Sequence, residues 1–206
     1  MANTSRANGF TPVKTLSGAP ISSMIRSVYS PAADRSSDTT NNHGDLYIGD
    51  PITIGTDGTV TPADSNELVS GVVVGIGAAS AVNHGATGSA VVPAPMFYPA
   101  DLTRKYLPLT EAGWVYYVPV NDVLFEVQTA SDLDLLPGKF ADTNILANAA
   151  HGSRTTGRSN VELTTASDND VIVVENVMTP DNDITSAYAR HLVLFYTQGI
   201  TPASAT

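Results

Sequence analysis

From Leu46 onward the chain is written in short apolar runs separated by turn-forming residues, and that punctuation decides what it can fold into. In "GDPITIGTDGTVTPA" (49–63) apolar and polar side chains alternate, and Asp57-Gly58 supplies the positive φ of a tight turn between strands at 51–55 and 58–62. Next, "LVSGVVVGIG" is almost continuously apolar and rich in valine, which predicts a central strand at 68–76 buried on both faces. Two further strands, "GWVYYVPV" (113–120) and "VLFEVQT" (123–129), join at Asn121-Asp122. In the second, Leu124, Glu126 and Gln128 face opposite to Val123, Phe125 and Val127, as a period of two requires. The runs "VELTT" (161–165), "VIVVENVM" (171–178) and "RHLVLFYT" (190–197) complete the pattern. About ten short strands with turn signals between them, and little helix, predict an all-β fold, either a barrel or a sandwich.

The flanking segments read differently. Residues 1–43 predict an extended N-terminal arm and linker, because Pro12, Pro20 and Pro31 break any helix and Ser, Thr and Asn fill the gaps. Within that arm, Ser22-Ser23-Met24-Ile25 could add a strand to a sheet edge, of this chain or a neighbour. The body then spans 44–199, with a Pro-rich insertion near 79–112, and 200–206 is a flexible tail. Short helices are expected around Leu133–Leu136 and Asn144–Ala150. A long loop over 96–110 carries Phe97, Tyr98 and Tyr106, either as an oligomer or docking interface or as rings that cap the core.

Composition narrows the partners. The 206 residues suit one sizeable domain with an arm, and with 42% hydrophobic residues a core can form. Only 15% are charged, so much of the surface must be Ser, Thr, Asn, Gly and Ala, which a neighbouring subunit can cover at little desolvation cost. A net charge of −10 argues against nucleic acid, whose binding rests on neutralising phosphates. The charge is uneven: residues 1–33 carry Arg6, Lys14 and Arg26 and no acid, whereas Ser36 to Thr103 holds Asp38, Asp45, Asp50, Asp57, Asp64, Glu67 and Asp101 and no Lys or Arg. A basic arm on an acidic body suits docking onto an acidic surface. With no cysteine there is no disulfide and no thiolate metal site. Neither a signal-peptide pattern nor a membrane-length apolar run is present, so synthesis in cytoplasm and no membrane partner are expected.

Catalytic and cofactor patterns are incomplete. Gly75-Ile76-Gly77-Ala78-Ala79-Ser80 follows a strand as a dinucleotide fingerprint does, but the third glycine and a competent helix are missing. His43, His84, His151 and His191 are scattered without ligand spacing, and the aspartates of "SDLD" (131–134), "SDND" (167–170) and "PDND" (180–183) fit turn chemistry better than a calcium loop. No G-x-S-x-G elbow occurs, and Glu126 on a strand, the one internal candidate acid, is explained by facing solvent or a neighbour. No enzyme, no metal and no cofactor are therefore expected.

The order "GSRTTGRSNVELTT" then "VIVVENVMTPDNDITSAYARHLVLFY" resembles the C-terminal half of capsid cement, or decoration, proteins of tailed bacteriophages. "ANGFTPVKTLSGAP" resembles that family's N-terminal arm, "YIGDPITIG" and "VSGVVVGI" its first strands, and "DVLFEVQ" its central one. Agreement is weaker over 79–112, and no functional residue carries over one by one. The resemblance implies a small β barrel or jelly-roll-like sandwich and a non-enzymatic structural virion protein on the outer capsid surface. It would bridge major capsid protein subunits, stabilise the expanded shell, and act as a homodimer or homotrimer. On this reading Arg6, Lys14 and Arg26 grip the capsid, and Phe97, Tyr98 and Tyr106 serve the oligomer or shell interface. The alternative is a head-fibre or receptor- or carbohydrate-binding module with Trp114, Tyr116 and Tyr117 as its platform; a divalent-dependent hydrolase on a β-sandwich is a third class.

Overall fold

A computed structural model describes residues 3–6, 8–30, 45–55, 60–63, 68–77, 104–108, 110–144, 152–165 and 169–196. Two antiparallel sheets form the body. The six-stranded sheet runs β1 (Thr11–Thr15), β9 (Val123–Gln128), β15 (Arg190–Phe195), β14 (Val171–Asn176), β10 (Phe140–Thr143), β13 (Leu163–Thr164). The five-stranded sheet runs β2 (Arg26–Ser30), β8 (Gly113–Pro119), β6 (Gly71–Gly77), β4 (Pro51–Ile54), β5 (Val60–Pro62). Two small sheets lie beside them, β3 (Leu46–Tyr47) with β7 (Tyr106–Leu107), and β11 (Gly152–Ser153) with β12 (Arg158–Ser159). Neither large sheet closes on itself, so of the two expected all-β architectures the chain adopts the sandwich.

The main core lies between the large sheets. Phe125, Val127, Val173, Val193 and Phe195 of one sheet meet Val72 and Val118 of the other. A second cluster, with Ile52, Val60, Val73, Ile76 and Val115 under Leu46 and Leu107, covers the opposite face of the five-stranded sheet. β6 therefore sends Val72 into one core and Val73 into the other, which is why its sequence is a valine run without alternation. The expected hairpin forms with Ile52 opposite Pro62 and Ile54 opposite Val60; its Asp57-Gly58 turn lies outside the described residues. β8 and β9 join at Asn121-Asp122 without pairing, because the chain passes there from one sheet to the other, with Asp122 at φ 65°.

The N-terminal segment departs most from its reading as an arm. β1 pairs with β9, Thr11 opposite Glu126 and Thr15 opposite Val123, and β2 pairs with β8, Arg26 opposite Tyr117 and Ser30 opposite Gly113. Pro12 is tolerated because β1 is an edge strand, where a missing N–H costs no ladder bond. Just before it, Phe10 is 1% exposed and packs at 6.3 Å from Phe125 and 4.6 Å from Phe195, ring centre to ring centre. The approach to that site needs glycine. Gly9 and Gly49 have φ of 62° and 97°, a side chain on either would strike the other's backbone strand, and Phe10 N donates to Gly49 O at 2.9 Å. Residues 8–30 thus belong to both sheets of the body.

Local expectations about helix are corrected as well. Ser22-Ser23-Met24 is not a strand but part of a single helical turn, α1 (Ile21–Met24), which Pro20 opens and the extended Ile25 ends. Leu133–Leu136 forms no helix: Asp134 sits at φ 43°, outside right-handed helical space. Of the second expected helix only Asn144 is described, and it is extended from β10, its N–H donating to Glu162 O at 3.0 Å. The 79–103 part of the insertion and the 200–206 tail lie outside the described residues.

Candidate functional site

Of the sequence-derived site residues, Arg6, Lys14, Arg26 and Tyr106 are described, and each has its own partners within the chain. Arg6 and Lys14 are exposed and paired within the chain, Arg6 with Asp181 at 4.0 Å and Lys14 with Glu175 at 3.2 Å. Arg26 at the start of β2 donates to Ser23 O and Ile25 O, both at 3.1 Å, closing the turn after α1. Phe97 and Tyr98 lie outside the described residues, as do His43, His84 and His151. Tyr106 is not in an irregular loop; it stands in β7, half-buried, with its ring stacked on Tyr47 at 5.5 Å and 17°.

Other candidates resolve into structure. Trp114 is 8% exposed, and Tyr116 shares its face of β8 beside Gly75 and Gly77, whereas Tyr117 points the other way onto the second core cluster. The three rings therefore make no common platform. Glu126 is half-buried on the outer face and pairs with Arg190 at 3.5 Å. Asp183 accepts from the N–H and hydroxyl of Thr185 at 3.0 and 2.8 Å and from Ser186, and these bonds hold its pKa below the usual range. Asp170 takes the N–H and hydroxyl of Thr143 at 2.9 and 2.8 Å, locking β10. Among the described residues no group of three His, Asp or Glu side chains gathers as a metal would need. No helix among them is long and apolar enough to cross a membrane.

One polar constellation was missed from sequence, because its members are far apart in the chain. β3 and β7 bring Tyr47 opposite Tyr106, and the β11–β12 hairpin delivers Arg154 over the Tyr106 ring at 5.8 Å. Arg154 Nε and Nη2 each reach Asp45 Oδ2 at 2.8 Å, and the Tyr47 hydroxyl donates to the same oxygen at 3.1 Å. Asp45 is buried while Arg154 stays open to water, so the carboxylate anchors the guanidinium from below. Burial first, and then the Asp45 charge, push the Tyr47 phenol up to about 12, leaving it a donor at neutral pH. Gly152 lies directly against the Tyr47 ring, where any side chain would overlap it.

Beside this stack opens a groove of about 280 Å³ lined by Arg104, Lys105, Tyr106, Pro108, Glu111 and Arg154. Arg104 Nη2 pairs with Glu111 at 2.6 Å, and Lys105 Nζ donates to Thr155 O at 2.8 Å. Arg104 Nη1 is buried with no partner among the described residues. Three of the six lining residues, Arg104, Lys105 and Arg154, are cations, so the groove carries a locally positive field. Compared with known proteins, the chain matches no family, no curated protein and no solved structure.

Proposed function

We propose that this chain is a structural virion protein of the cement type, which binds the outside of a tailed-phage head and bridges its major capsid subunits. Beyond the resemblance of its C-terminal motifs, one structural observation carries the reading. The N-terminal segment forms the edge strand of both sheets, β1 and β2, and crosses between them through α1. Along that crossing Val13, Leu16 and Ile25 are 43%, 58% and 41% exposed, with the cations Lys14 and Arg26 interleaved. Edge strands with apolar and basic side chains can receive backbone and side-chain contacts from a second protein without any active site. A protein that binds only the assembled lattice stabilises it by mass action, and many copies act together.

Removing residues 1–30 would delete two strands and Phe10, so loss of binding after that deletion would report unfolding. Point changes are the proper test. Leu16→Asp with Ile25→Asp, both on exposed positions, should leave the urea unfolding midpoint unchanged and lower occupancy on purified heads by roughly tenfold, as two lost contact residues would. Full occupancy by the double variant would remove this surface from the mechanism. Failure of the unaltered protein to bind heads would end the cement reading.

A further inference from the structure

Three cations sit around the 280 Å³ groove of a chain whose net charge is −10. Each keeps hydrogen-bonding capacity beyond the bond it already makes. Arg104 uses Nη2 on Glu111 and has Nη1 without a partner among the described residues; Arg154 directs Nε and Nη2 at Asp45 and also bonds Tyr47, and its guanidinium carries five N–H donors; Lys105 spends one ammonium proton on Thr155 O. The half-buried Tyr106, stacked on Tyr47 and lying under Arg154, also lines the groove.

We propose that this groove binds a single carboxylate, that of an Asp or Glu side chain on an extended segment of a partner protein, with its aliphatic stem on Tyr106. The choice of a protein partner rests on the cement reading; the carboxylate chemistry does not. Both arginines already hold a carboxylate oxygen in the structure, at 2.6 and 2.8 Å, so each is placed among groups of that chemistry. The Glu111 carboxylate on the rim disfavours a doubly charged phosphate more than a singly charged carboxylate. The overall negative charge repels a long polyanion.

The test is a nuclear magnetic resonance titration of the full chain with acetyl-Gly-Glu-Gly-amide, following the amides of Lys105 and Tyr106 and the Arg154 Nε–H. Saturable shifts in the millimolar range are expected with this peptide and none with acetyl-Gly-Gln-Gly-amide. Lys105→Gln, an exposed change, should weaken binding by roughly fivefold through loss of one charge-assisted contact. Glu111→Gln should tighten it, because a competing carboxylate leaves Arg104; a merely structural role for Glu111 would not produce that gain. Equal shifts from the Gln peptide, indifference to both variants, or tighter binding of inorganic phosphate or glucuronate would each overturn the proposal. Because heads are absent from this titration, its failure is separate from any failure of the capsid-binding assay.

Discussion

His191 couples the stability of the sandwich to pH in a way that can be measured. It is 0% exposed in β15, its Nδ1 lies 2.8 Å from Asn176 Oδ1, and its Nε2 is buried with no partner among the described residues. Burial lowers its pKa from 6.5 to about 4, so the folded protein keeps the ring neutral at pH values where the unfolded chain binds a proton. The sign follows directly. Above the unfolded value both states are neutral and the ring contributes no pH dependence. As the pH falls from 6.5 towards 4 the unfolded state takes up a proton that the folded state refuses, and stability is lost. At ~1.4 kcal/mol per pH unit the full loss is about 3 kcal/mol. Arg190, beside it in β15, and Glu126, across the sheet, lie on the outer face and pair with each other, and Glu175 on β14 pairs with Lys14.

The assay is urea unfolding from pH 7.5 to 4, about the range in which histidine titrates, for the unaltered protein and His191→Gln. The glutamine keeps a donor for Asn176 and cannot titrate. Asp181 and Asp183, whose pKa values are lowered by hydrogen bonds, lose their contribution only below the usual carboxylate range, and they do so equally in both proteins. The difference in unfolding free energy should be constant above neutrality and shift by about 3 kcal/mol against the unaltered protein on acidification. Parallel pH profiles for the two proteins would refute the reasoning, since a buried neutral ring could not then be what separates them.

Three further outcomes are expected. Phe10→Ala should cost about 3 to 5 kcal/mol by urea unfolding, because the ring is fully buried between Phe125 and Phe195; a surface arm would show almost no change. Gly152→Ala should lower the melting temperature through about 1 to 3 kcal/mol of overpacking against Tyr47, whereas Gly138→Ala, in open space though also strained at φ 90°, should be milder. Asp45→Asn should bring the Tyr47 phenol down from about 12 in an ultraviolet titration, though not to the value of a free tyrosine, because burial remains the larger cause.

How much was legible follows from where the determining contacts lie. The valine run of β6, the alternation of β9 and the hairpin of β4 and β5 are local patterns, and each sits where its pattern places it. β1 was unreadable because its burial is mostly that of an exposed edge: in "TPVKT" only Thr15 is buried, and the residue that anchors it, Phe10, precedes the strand. The join of β8 to β9 at Asn121-Asp122 was legible but their pairing was not: Asp122 at positive φ sends them to different sheets, and an Asn-Asp pair serves a hairpin or a corner equally well. The groove was out of reach for another reason. Tyr106 stands out in its own segment, but Asp45 and Arg154 do not, and the three come together only when β3, β7 and the β11–β12 hairpin meet.

The threading of Phe10 between Phe125 and Phe195 also orders events in time. The first strand emerges from the ribosome long before its pairing partner, and its anchoring ring has no complete pocket until the last described strand has been made. Such distant closure makes folding slow and leaves edge strands uncovered in the interval, so yield during expression should depend on elongation and temperature more than the final stability would suggest.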